Sequence, residues 1–553
     1  IGVALSEQDG YAVAERIIPG GAAARHGVLR PKDKIIAVSQ GDQNFVDIID
    51  MPLRDAVTLI RGKAGTTVGL VRARRAEAVA AAEAAKATAI NDFLQQTLMT
   101  AHPSKGGGRE TTVVEALDEA VDRVETDFAD QPEIRAAVEA TIGRTYGRLS
   151  RYAEAKPLLA AALATTRELH PGDHPETADL LLRLGWLERI NGDPEEALRR
   201  DDEALEMLRR LHGGVHTEVA RALSEKAWAL NDASDFAAAE TYFREALAIR
   251  SELYRPPHLE LAETQHGLAM LLGNKGEYDE AIPLYREAMR QRVEILGPRH
   301  LSVAASQTSL GLVLQSVGEH DEAAELLQAS LDTRRELLGD EHHEVAESWS
   351  SLGTVLFAKN EIEAAEEAFR TALVLFERLF PEGHTKVARA HHNVSTILAE
   401  KGEIEGAIEA ERHALQQNLD VVGPEHVVSG VVRLQLSDLL LRARDYPAAE
   451  REAREGLRVI SLTLPASHWR IGGGKGRLGE ALTGLGRYEE AEPLLLEALG
   501  IMHRTLGDEH PQTLVCRAQL GSLYTGLRRY VEAAPLLDEA VQGGRRAFAP
   551  GDP

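Results

Sequence analysis

Nine histidines stand in one register: His174, His216, His258, His300, His342, His384, His426, His468 and His510 follow one another at intervals of 42 residues. An imidazole can ligate a metal, move a proton or accept a hydrogen bond, so the column has three chemical readings. Nitrogens that share a zinc ion must each sit about 2.0 to 2.1 Å from it, whereas packed helices lie about 8 to 10 Å apart. Histidines spread one to a repeat therefore cannot converge on one ion. Proline follows the histidine in "HPETA" and "HPQTL", and proline favours the first helical position. The column is read as a set of helix N-caps. A neutral ring nitrogen accepts a first-turn N–H, and Glu176, Glu218, Glu260 and Glu344 suit the positive end of the helix dipole. Other chemical signals fail in their detail. "GGGKG" at 472–476 lacks the hydroxyl residue after the lysine and the preceding strand that a phosphate loop needs, and "EHHEVAES" lacks the second histidine of H-E-x-x-H. No metal, no cofactor and no catalytic residues are expected, because no nucleophile, base and oxyanion donors are grouped.

Further columns share the period and define the elements that carry the histidines. Alanine recurs from Ala155 to Ala533 every 42 residues, and three places before it stands a mostly large residue such as Tyr152, Phe236, Tyr278 or Tyr488. A small residue returns eleven places after each histidine, as in Gly185, Ala227, Gly353, Ser395 and Gly521. Stretches such as "HLELAETQHGLAMLLGNKG" and "EYDEAIPLYREAMRQRVEILG" place apolar residues three and four apart and are split by glycine. Each unit is thus predicted to be a helical hairpin whose helices cross closely at the small residue. Gly276, Gly318, Gly402 and Gly486 are expected to end the first helix in a left-handed conformation.

These columns resemble the tetratricopeptide repeat (TPR), whose commonest form is about 34 residues long, and here its 42-residue type found in kinesin light chains. The fold expected is mainly α: a TPR α-solenoid of about ten hairpins over 132–551, with a capping helix at 111–131. The resemblance implies a concave groove lined by the first helices, with peptide-facing residues at Arg183, Trp186, Arg221, Ser224, Trp228, His266, Thr308, Ser309, Ser350, Ser351, Arg389, His392 and Asn393. Asn393 matches a groove asparagine of kinesin light chains that holds peptide backbone, and most other units depart from it.

The first seventy residues change character, with alternating and β-branched runs that suit a small sheet. "IIPGGAAARHGVLRPKDKIIAV" resembles the PDZ domain of tail-specific, C-terminal processing proteases, so 1–72 is expected to be an α+β PDZ-like domain, truncated at its N-terminal strand. By that resemblance Ile1, Gly2 and Val3 form the carboxylate loop and Leu53, Val57 and Ile60 the apolar side of a groove for peptide C-termini. A long linker helix and a glycine-rich break, "PSKGGGRE", fill 73–110. The part after it is similar to the accessory region of bacterial serine/threonine kinases. The reading is a non-enzymatic bacterial scaffold. The alternative is the regulatory or sensor portion of a larger signalling enzyme, kinase or protease, whose catalytic domain precedes Ile1.

Totals narrow the partners. Among 553 residues, 62 lysines and arginines face 87 aspartates and glutamates, a net charge of −25, which speaks against a phosphate-backbone partner and for neutral or basic protein ligands. The lone Cys516 rules out an intrachain disulfide, and no apolar run is long enough to span a bilayer. Cytoplasm and periplasm both stay open as compartments, as does the oligomeric state.

Overall fold

The computed structural model describes residues 3–8, 11–17, 34–40, 46–48, 51–61, 68–72, 87–89, 91–93, 95, 97 and 112–547. The chain divides into two compact units, Ile1–Gly214 and Val215–Pro553. The predicted linker over 73–110 lies almost wholly outside the described residues, as do Ile1 and Gly2.

The first unit opens on an antiparallel sheet: β1 (Val3–Gln8), β2 (Tyr11–Ile17), β3 (Lys34–Gln40) and β4 (Val46–Asp47) pair in that order, and β5 (Val68–Arg72) pairs with β3. Ala12, Ile35 and Val38 from the strands meet Ile48 and, from the helix Leu53–Arg61, Ala56 and Ile60, which makes a small apolar core. A helix at Val113–Asp127 follows. Its start is fixed by a reciprocal capping box in which Glu115 N–H donates to Thr112 Oγ1 at 3.2 Å and Thr112 N–H to Glu115 Oε2 at 2.8 Å. Two helix pairs complete this unit, Pro132–Arg148 with Tyr152–Leu169 and Pro175–Ile190 with Pro194–His212. The second unit contains eight more pairs among the described residues, from Thr217–Asp232 with Phe236–Leu253 to Pro511–Gly526 with Tyr530–Ala547.

The columns explain why the pairs close. The alanines from Ala155 to Ala533 are at most 2% exposed, and each lies where the two helices of its hairpin cross. Opposite them, a Cβ added at Gly353 would fall 2.7 Å from the Phe369 ring, and one at Gly521 2.7 Å from Leu537. Where the small residue is serine, its hydroxyl donates across the crossing: Ser395 Oγ to the Ala407 carbonyl and Ser437 Oγ to the Ala449 carbonyl, each at 2.9 Å.

The histidines cap helices. Nδ1 accepts the N–H two residues on at His174, His216, His300, His342, His384, His426, His468 and His510, at 3.0 to 3.3 Å. His258 departs from this pattern. It makes no side-chain cap bond, and its ring stacks on Tyr254 with centroids 3.7 Å apart.

Candidate functional site

Several predicted groove positions gather where successive first helices lie side by side. Arg221, Ser224 and Trp228, from the helix Thr217–Asp232, line a pocket of about 150 Å³ together with Phe243, Arg250, Glu260, Glu263 and Thr264. Trp228 meets Phe243 edge-on at 5.1 Å. Gly267 allows the approach, since a Cβ there would lie 2.8 Å from Phe243 and 3.2 Å from Trp228. Arg221 Nη2 donates to Glu218 Oε2 at 2.7 Å, which holds the guanidinium at the rim. The indole of Trp228, part-buried beside charged groups, supplies a wall that can take an apolar or cationic side chain.

In the first unit Arg183 Nε donates to Asp179 Oδ2 at 2.7 Å, and Trp186 packs edge-on against Tyr152 at 5.6 Å. That ring contact makes Trp186 partly a packing residue. His266 is half-buried against Tyr285, with ring centroids 5.1 Å apart. Burial, with nearby Arg292 adding to it, pushes His266 down to about 4, so it is neutral at pH 7.

Farther along, Thr308 Oγ1 accepts from Arg334 Nη1 at 2.9 Å. Ser309 and Ser351 are half-buried and Arg389 is exposed, whereas Ser350 is buried. His392 Nδ1 meets both oxygens of buried Glu411, at 3.2 and 3.0 Å, while Nε2 lies 3.4 Å from Gln435 Nε2 of the next hairpin. Burial opposes the charged imidazolium of His392, but the Glu411 carboxylate outweighs it and holds the pKa above the usual histidine value. Asn393 is half-buried beside it. In the small sheet domain Ile60 belongs to the core, and Leu53 and Val57 are half-buried, Leu53 packing on that core.

Sequence reasoning missed a second set of residues on the other helices. Arg250, Arg292 and Arg334 stand 42 apart, and each crosses to the next hairpin's first helix to reach a hydroxyl there. Arg250 Nη1 donates to Thr264 Oγ1, Arg292 Nη1 to Ser306 Oγ at 2.7 Å and Arg334 Nη1 to Ser348 Oγ at 2.8 Å. The signal was present as a three-member column, but a buried arginine on the second helix is not where groove reasoning looks. One group has a metal-like composition: His342, His343 and Glu344 bring ligand atoms within 4.8 Å of one another. Two of the three already have partners, since His342 Nδ1 accepts the Glu344 N–H and Glu344 Oε2 accepts from Arg334 Nε at 3.1 Å.

Comparison with known proteins places this architecture. The tetratricopeptide repeat pattern matches residues 134–210, 187–252, 260–336, 302–378, 344–420 and 474–545, and the PDZ domain pattern matches 1–71. The chain belongs to the tetratricopeptide repeat family and carries a PDZ domain at its N-terminal end. Both are interaction modules without catalytic chemistry of their own. A curated relative is the tail-specific protease of Haemophilus influenzae, 39% identical over 70 residues, or 13% of this chain; the chain spans only 10% of that protease's length. Among solved structures, apo RapI is 13% identical and covers 67% of this chain and 98% of its own, with a TM-score of 0.51, which shows the fold. BtubC (BKLC) from P. vanneervenii is 21% identical over 42% of this chain and 92% of its own at 0.37. A putative kinesin light chain from Podosopora anserina is 22% identical over 37% of this chain and 98% of its own at 0.34. No helix among the described residues is long and apolar enough to cross a membrane.

Proposed function

We propose that this chain is a non-enzymatic scaffold that holds an extended protein segment along the inner face of its first helices. In this reading 132–551 form ten TPR units, 111–131 their cap, 73–110 a linker and 1–72 the PDZ-like domain, which adds a site for peptide C-termini. The observation that carries the reading is the pocket shared by Arg221, Ser224 and Trp228. Its polar rim and aromatic wall suit recognition of a side chain rather than a dry packing contact. The ligand class is a protein segment of neutral or basic overall charge, in keeping with the chain's net −25.

A random dodecapeptide library passed over the full chain tests this. The wild-type chain is expected to enrich a family of sequences, and Trp228→Ala to weaken the best of them by about tenfold or more, the loss typical of an aromatic anchor. Enrichment that Trp228→Ala and Asn393→Ala both leave untouched would remove the inner face from the account.

A further inference from the structure

The repeats allow one unit to be read against its neighbours. Two places after the cap histidine stand Glu260, Ser302 and Glu344 in three consecutive units. Arg250 Nε lies 3.7 Å from Glu260 Oε2, and Arg334 Nε lies 3.1 Å from Glu344 Oε2. Arg292, between them, meets a serine at the equivalent place. Its Nη1 donates to the Ser302 carbonyl at 3.3 Å and to Ser306 Oγ at 2.7 Å, both neutral, and it forms no ion pair among the described residues.

Two further acids that line the pocket with Arg250 have no acidic counterpart one repeat on. Moved by one period, Glu225 of the pocket becomes Gly267 and Glu263 becomes Ala305. Burial disfavours the charge on Arg292, and Glu263 favours it without forming an ion pair. A guanidinium drawn partly out of water without a counter-ion carries a desolvation cost that an arriving carboxylate offsets through charge-assisted hydrogen bonds. The column also reaches the groove: Arg250 lines the pocket with Arg221 and Trp228, and Arg334 bonds the groove residue Thr308.

We infer that Arg292 receives a carboxylate, an aspartate or glutamate side chain of the bound segment, which takes the place filled by Glu260 and Glu344 in the adjoining units. The inference rests on the groove reading above and adds to it one acidic position in a segment otherwise neutral or basic. Ser302→Glu supplies that carboxylate from within the chain, so it is expected to close the site while keeping or raising the urea midpoint.

The same dodecapeptide library, screened against the full chain, separates the two ideas. Wild type is expected to enrich aspartate or glutamate at one position. Ser302→Glu and Arg292→Gln should each reduce that single preference by about tenfold, the worth of one charge-assisted bond, and leave the remaining preferences in place. Captured peptides with no acidic position, or an acidic preference that survives Ser302→Glu, would overturn the assignment of Arg292 while the groove stands. If wild type captures no peptide, both ideas fall.

Discussion

Imidazole is an uncommon helix cap, and here it works because Nδ1 reaches the N–H two residues on and accepts it. Losing such a bond leaves a first-turn N–H unanswered, which costs about 1 kcal/mol at a typical N-cap. His300→Ala and His510→Ala are therefore expected to lower stability in urea by about that amount. His258→Ala, which removes no cap bond, should cost less, and equal losses at all three would show that ring packing rather than capping keeps the column. Two other histidines set opposite pH slopes. His266 falls to about 4 from an ordinary 6.5, so between these values the unfolded chain binds the extra proton. Its contribution is full above pH 6.5 and is lost as pH falls toward 4. His392, raised by Glu411 against the opposing effect of burial, contributes fully below the unfolded histidine value and loses this as pH rises through its folded one. His266→Gln is expected to flatten the acid limb of a stability–pH curve, and His392→Gln to remove a decline on its neutral-to-basic side. Urea midpoints measured across pH 4 to 8 would contradict this if both variants shifted the curve the same way.

At the scale of one hairpin, a single backbone position governs the turn. Ser150, Gly192, Ser234, Gly276, Gly318, Asn360, Gly402, Arg444, Gly486 and Arg528, spaced by 42 residues, all have positive φ between 59° and 86°. Glycine fits that region freely, whereas an L side chain there costs about 1 to 2 kcal/mol. Arg444→Gly is expected to stabilise by about 0.5 to 1 kcal/mol once glycine's greater unfolded-state freedom is deducted, and Gly276→Ala to destabilise by about 1 kcal/mol. Thermal melts that move the opposite way would refute this account of the turn. Gly353→Val should cost about 1 to 3 kcal/mol through overpacking on Phe369. This scale also shows where sequence reading succeeds. The period, the hairpins, the histidine caps and the close crossings follow from residue types that only one geometry satisfies. Four glycines of the ten-residue turn column were read from the sequence; Gly192 was passed over, and at the other five places serine, asparagine and arginine hide a backbone demand that glycine advertises. The resemblance to the repeat family supplies candidate groove positions such as Arg221 and Trp228, but Ser350 is buried, and the link from His392 to Glu411 joins residues whose contact depends on how two helices rotate against each other.

Within each compact unit, a hairpin leaves an apolar face that only its neighbours can cover, so stability is distributed along successive hairpins. Within the second unit the proposed groove takes successive first helices as one surface, whose side chains vary from repeat to repeat while the packing columns stay fixed. Function is expected in that variation: Trp228 and Arg221 at one step, Arg292 without its acid at the next, Asn393 and His392 farther on. Amide hydrogen exchange of the full chain, with and without an enriched dodecapeptide, tests the central claim most directly. The account predicts added protection concentrated in the first helices Thr217–Asp232, Leu259–Lys275 and Leu301–Ser316, and little change in the second helices that follow them. Protection confined to the second helices, or found only in the small sheet domain, would contradict it.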